Sequence, residues 1–347
     1  MGTHRIGRRA FLAGAVAMGA SAVVPRRARA AGSVVAAIYP SEAWEGSYRA
    51  IVGPYLKRTA DVDVVFTPLL AFDQVSKAMA ARGTPPFDVF ILDPGPRISA
   101  IEAGLFEKFD GSKLKNIAHV PPGLSDEHGI AIAAQIVGIV YNPKKVERPT
   151  GWKDLFTPKY HGKLGITGFG TTFGTVSLIE VAKVFGGSET NVEPAFEALK
   201  KILPHVTVVQ NPVAIGPLLQ QGQIDITYTN YQFVATLKAR GLDIEFAKPD
   251  TGAVAFYTTL HVAKNAANRE NAYKYIDAVL SADVQGQLQK PPYNILSVNK
   301  LVPLRPDIPP ELLQSHDELP RFVSHDWRKI NQHRAGWIER FNKEVRQ

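Results

Sequence analysis

Seven residues, Gly168-Phe169-Gly170-Thr171-Thr172-Phe173-Gly174, hold the clearest capacity for chemistry in this chain. Glycines let a ligand approach the backbone, and the two threonines supply hydroxyls. A helix opening at Thr171 or Thr172 would present unpaired N–H groups and the positive end of its dipole. That combination suits an anion such as a carboxylate, phosphonate or phosphate. The glycine spacing is one residue longer than the Gly-x-Gly-x-x-Gly of dinucleotide sites, and an ordinary strand-to-helix turn would also use glycine here. Covalent chemistry has less footing. The nine histidines are scattered, with no His-Glu-x-x-His pair, no Gly-x-Ser-x-Gly elbow and no Walker loop. With no cysteine, neither a thiolate nor a Cys-bound metal is available.

These residues must be carried by strands and helices in alternation, and the chain supplies them. Apolar runs at 34–39, 63–66, 88–92, 163–167 and 224–228 read as strands. Helical patterns follow at 45–56, 72–82, 172–185, 192–203, 212–221 and 231–240, and two amphipathic helices lie at 268–280 and 283–290. The pattern predicts an α/β sheet flanked by helices. In such sheets ligands collect at the carboxyl ends of strands. The candidates there are Ser41, Glu42 and Trp44 after the first strand, Asp93 and Arg97 after the third, and Tyr228, Asn230 and Tyr231 after the run at 224–228. Phe256, Tyr257, Thr258 and Tyr293 join Gly170, Thr171 and Thr172 to complete the set. Two long extended stretches, 129–141 and 253–262, read as crossovers between two lobes, the first as a pair of extended segments.

The string from Tyr141-Asn142 through Pro149-Thr-Gly-Trp152-Lys-Asp154-Leu155 to Pro158-Lys-Tyr160-His-Gly162-Lys163 resembles periplasmic solute-binding proteins of ABC importers, in the spermidine/putrescine-binding and ferric-ion-binding branch. Residues 263–284 and the closing Trp337-bearing helix resemble the same family. The resemblance implies an α/β, two-lobed periplasmic-binding-protein fold of type II, with each lobe a mixed sheet flanked by helices. It implies lobe 1 at 31–137 and 257–300, lobe 2 at 138–256 and a helical tail at 301–347. It further implies a non-enzymatic, monomeric solute binder with no cofactor and no metal, delivering its solute to membrane permease subunits. Polyamine binders place carboxylates on the lobe-two turn and the return crossover, where this chain has residues 168–172 and 256–258 without an acid. An uncompensated ammonium is costly to bury, so a neutral or anionic solute is expected. Iron would need adjacent tyrosinates, and no Tyr-Tyr pair occurs. The alternative is an exported cofactor-binding enzyme using the 168–174 turn for a phosphate.

Residues 1–30 read as an export signal: Arg8-Arg9 before Phe11-Leu12, a small apolar run, and Ala28-Arg29-Ala30 before a cut at Ala31. The twin arginine points to the twin-arginine route and the periplasm. Six of the 40 basic residues lie there, so removing them leaves 34 against 32 acids, near +2. That balance implies no nucleic-acid partner.

Overall fold

In the computed structural model, residues 32–209 and 214–345 are described. The expected export signal and its cleavage site lie outside them. The described chain builds one ten-stranded mixed sheet in the order β2-β1-β3-β10-β5-β8-β6-β7, with the two-residue β4 (Ser125–Asp126) and β9 both paired to β5. Strands β1 (Ser33–Ile38), β2 (Asp63–Pro68) and β3 (Val89–Leu92) run parallel and form one wing. β6 (Leu164–Ile166), β7 (Val206–Val208) and β8 (Ile226–Asn230) run parallel and form the other. Every residue of β1 and β3 is buried, the signature of parallel strands covered on both faces.

Two antiparallel strands join the wings. β5 is a single strand of 13 residues, Gly129–Tyr141, rather than the pair of extended segments expected from sequence. It continues unbroken because neighbours hold it on both edges: β10 (Val254–Val262) along its first part, and β8 and β9 (Glu245–Ala247) along its last. β10 pairs with β5 through Val254–Leu260 and with β3 through Thr259–Val262. Its register shifts between Thr258 and Thr259, at the passage from one partner to the other. A bulge there bends the strand and increases its twist.

Helices α1 (Gly53–Ala60), α2 (Ala71–Ala80) and α3 (Pro94–Glu102) serve the first wing. α4 (Thr172–Val184), α5 (Glu193–Ile202), α6 (Ile215–Gln220) and α7 (Tyr231–Ala239) serve the second. α8 (Arg269–Leu280) and α9 (Ala282–Leu288) return to the first. α4 is buried continuously from Gly174 to Ala182, because it is apolar nearly all round. The last helix, α10 (Trp327–Glu344), is no free tail. Its Trp327, Ile330 and Phe341 belong to the core cluster of β6 and α4, while its Asn331 Nδ2 donates to the Gly95 carbonyl of α3 at 2.8 Å. One helix therefore packs against both wings.

The string that carries the family resemblance has a structural role. Trp152 is fully buried beside Tyr228, with ring centroids 6.3 Å apart. The Asp154 carboxylate accepts from both the backbone N–H and the hydroxyl of Thr150 at 2.8 Å, closing the short helical turn Trp152–Phe156. Its residue types answer to packing and capping.

Candidate functional site

Asp93 lies at the carboxyl end of β3 and is the N-cap position of α3. Its Oδ1 accepts from the Thr258 hydroxyl at 3.1 Å. The hydroxyls of Tyr39, just after β1, and of Thr172, the first residue of α4, lie near enough to act on this carboxylate, and the Tyr39 hydroxyl is buried with no hydrogen-bond partner of its own. Tyr39 and Asp93 thus come from the first wing and Thr172 from the second. Burial pushes the Asp93 carboxyl up to about 6, against the opposing pull of these hydroxyls and of Arg334. A polar chain continues along the sheet: Gln135 Nε2 donates to Thr258 Oγ1 at 3.0 Å, and Asn230 Nδ2 donates to Gln135 Oε1 at 3.0 Å. Asn230 also caps α7, accepting from the Phe233 N–H at 2.9 Å.

Sequence reasoning missed Arg334. It stands in mid-α10, 5% exposed, and its Nε donates to the Phe169 carbonyl at 3.0 Å and to Thr175 Oγ1 at 3.1 Å. Its guanidinium lies over the rings of Phe72 and Trp327, 5.2 and 6.0 Å from their centroids. Burial lowers its pKa to about 10, and Asp93 opposes that fall. Nothing local in the sequence marks it, since α10 carries several other basic residues that face solvent.

The 168–174 turn divides into packing and open parts. A Cβ on Gly168 would stand 2.5 Å from the Phe341 ring, and one on Gly174 would collide with the Gly168 carbonyl. Those two glycines are set by close approach. Gly170 is exposed and faces open space. The Thr171 hydroxyl caps α4, accepting from the Gly174 N–H at 3.0 Å. A cavity of about 140 Å³ lies between this turn and Ile338, Phe341 and Asn342 of α10.

The other expected site residues are spread more widely. Ser41 and Glu42 are exposed, and Ser41 Oγ accepts from the Trp44 N–H at 3.3 Å. Trp44 stacks edge-on against Tyr39 at 5.6 Å, which puts it beside Asp93's surroundings. Tyr228 is fully buried, its hydroxyl bonded to both the N–H and the carbonyl of Thr167. The Tyr231 hydroxyl donates to the Asp307 carbonyl at 2.6 Å, and that of Tyr257 donates to the Leu319 carbonyl. Phe256 is buried in the core cluster of the second wing, whereas Tyr293 packs half-buried against the other large cluster, that of β1 and α8. Arg97 pairs with Asp126 on the first wing, lining a separate cavity of about 420 Å³ with Phe256, His325 and Trp327. Of the sequence-selected residues, the structure gathers Asp93, Thr172, Thr258 and Trp44 into one place, and it adds Tyr39, Gln135 and Arg334.

Among the described residues no helix is long and apolar enough to cross a membrane. Residues 84–333 match the family described as bacterial extracellular solute-binding protein. The spermidine/putrescine-binding periplasmic protein of Escherichia coli (strain K12) is 27% identical over 202 residues, 53% of this chain and 56% of that protein. The putrescine-binding periplasmic protein SpuD of Pseudomonas aeruginosa is 23% identical over 243 residues, 62% of this chain and 66% of that protein. The chain thus spans little more than half the length of the first of these relatives. Among solved structures, an ABC transporter protein from Clostridium perfringens superposes with TM-score 0.75 at 22% identity, covering 90% of this chain and 99% of that one. The spermidine/putrescine substrate-binding protein PotD of Streptococcus pneumoniae superposes with TM-score 0.71 at 15% identity, with the same coverages of 90% and 99%. The α/β architecture is that of the periplasmic binding proteins, and the chain belongs to the bacterial extracellular solute-binding protein family.

Proposed function

We propose that this chain is the extracytoplasmic solute-binding component of an ATP-driven importer, holding a small polar solute between its two wings and passing it to a membrane permease. The observation that carries this reading is that Asp93 of the first wing and Thr172 of the second lie beside one another under α10, which bonds to Gly95 of the first wing and Phe169 of the second. A solute seated there would touch both wings and favour their closure. The lobes are taken as 31–137 with 257–300, and 138–256, with β5 and β10 as the hinge. The molecule acts as a periplasmic monomer, exported through Arg8-Arg9 and cut after Ala30. It performs no covalent step. Buried ionisable groups away from Asp93 and Arg334 are engaged structurally: Glu180 with His325 and Lys183, and His261 stacked on Phe106 at 4.2 Å.

The relatives are named for spermidine and putrescine. In this chain the Arg334 guanidinium lies within electrostatic range of the site's buried carboxylate. A fixed cation there disfavours a multiply charged amine, so the solute is read as net neutral or anionic.

Mass spectrometry of small molecules co-purifying with the protein from its native host identifies the solute. Small-angle scattering with and without it should show a smaller radius of gyration when it is bound. An unchanged radius at saturation would remove the closure mechanism.

A further inference from the structure

Arg334 and Asp93 form an unusual pair. The Nε of Arg334 is spent on Phe169 and Thr175, and its ring contacts with Phe72 and Trp327 fix the plane of the guanidinium. Its two Nη groups make no hydrogen bond or ion pair among the described residues, although the residue is only 5% exposed. A buried guanidinium with an idle Nη edge is a two-pronged receptor for a carboxylate. Asp93 presents the reverse case. Its Oδ1 accepts from Thr258, the hydroxyls of Tyr39 and Thr172 lie near it, and α10, tied to the first turn of α3 through Asn331 and Gly95, brings Arg334 to its side as the cation acting on it. The two charges influence each other without forming an ion pair. Buried charges without such pairing are costly, and a ligand bearing one charge of each sign would satisfy both at once.

We propose that the solute is a zwitterion, with a primary ammonium set against Asp93 and a carboxylate laid along the Nη edge of Arg334. This deepens the solute-binding reading above and rests on it. A diamine would place its second ammonium against the guanidinium, and a dicarboxylate would place its second carboxylate against Asp93. Both lose by like-charge opposition what the zwitterion gains. The rings of Phe72, Tyr39 and Trp44 flank the site and would cover a short apolar stem.

Calorimetric titration of the purified full-length protein tests this with length-matched probes: γ-aminobutyrate, putrescine and succinate, then 5-aminovalerate, cadaverine and glutarate, with glycine as the shortest zwitterion. At least one zwitterion should bind about tenfold or more tightly than the diamine and diacid of its length. Arg334→Gln and Asp93→Asn should each weaken that binding at least about tenfold. Arg334→Lys keeps the charge without the fork, so it should fall between wild type and Arg334→Gln. Circular dichroism melts of each variant separate lost binding from lost folding; if Arg334→Gln is unfolded, the Arg334→Lys and Asp93→Asn results decide. Tightest binding by a diamine, abolished by Asp93→Asn, would overturn the zwitterion while leaving the cleft as the solute site. Tightest binding by a diacid, abolished by Arg334→Gln, would do the same. Zwitterion binding indifferent to all three substitutions would overturn both readings, and absence of binding by every zwitterion would overturn this one.

Discussion

Asp93 Oδ1 and the Thr258 hydroxyl lie 3.1 Å apart, joining the end of β3 to the point on β10 where the strand changes neighbours. Thr258 is fully buried and also accepts from Gln135 of β5. The carboxylate that faces the second wing is therefore anchored to both strands that connect the wings. A change in the charge or contacts of Asp93 acts directly on that connection.

Asp93 should be held at a cost to stability near neutral pH. Its folded-state pKa is raised from 3.8 to about 6, chiefly by burial. Between those values the folded protein binds more protons than the unfolded chain, so this group's contribution to stability falls as pH rises from about 4 to 6. Asp93→Asn removes the buried charge and keeps one acceptor for Thr258. The solute-free variant is expected to be more stable than wild type at pH 7.5 by on the order of 1–3 kcal/mol, with the difference vanishing near pH 4. Urea denaturation at the two pH values measures it; a variant equally destabilised at both would contradict the buried-charge account.

The two glycines 168 and 170 should respond differently to a methyl group. Gly168→Ala drives a Cβ into the Phe341 ring, which is itself 4% exposed in the core. Overpacking of this kind costs about 1–3 kcal/mol. Gly170→Ala meets nothing and should shift stability by less than about 0.5 kcal/mol. Chemical denaturation of both variants gives the comparison, and equal losses would mean the turn is not held by α10.

Tyr228 should behave as a structural residue. Tyr228→Phe strips the hydroxyl from the buried Thr167 N–H and carbonyl. Leaving such groups unpaired costs about 1–3 kcal/mol. The melting temperature should drop while solute affinity, measured well below that temperature, stays within about twofold of wild type. A large affinity loss with unchanged stability would place Tyr228 at the solute instead.

Export should depend on the arginine pair. Replacing both Arg8 and Arg9 with lysine is expected to leave precursor in the cytoplasm of the native host, and intact mass of the exported wild type should begin at Ala31. Normal periplasmic yield of the double variant would rule out the twin-arginine route.

Local sequence determined the order of strands and helices, since burial on both faces of a parallel strand demands an unbroken apolar run and each such run, as in β1 and β3, stands out. It also determined the family string at 141–163, because Trp152 and Asp154 meet their needs within a few residues or in the adjacent core. A strand end, a glycine-rich turn and a long return crossover were legible as places, which is how Asp93, Thr172 and Thr258 came into view, although Thr258 lies inside β10 and not at its end. Their roles were not. Whether a tyrosine hydroxyl faces a cleft or a backbone carbonyl depends on partners far away in the chain: Tyr231 finds Asp307, and Tyr257 finds Leu319. Arg97, equally plausible by position, is drawn to Asp126. Arg334, 241 residues beyond Asp93 in the numbering, reaches the site only because α10 packs against both wings. Strand and helix patterns are local and repeat along the chain, whereas the pairing of one carboxylate with one distant guanidinium is fixed only when the two wings and the last helix have packed together.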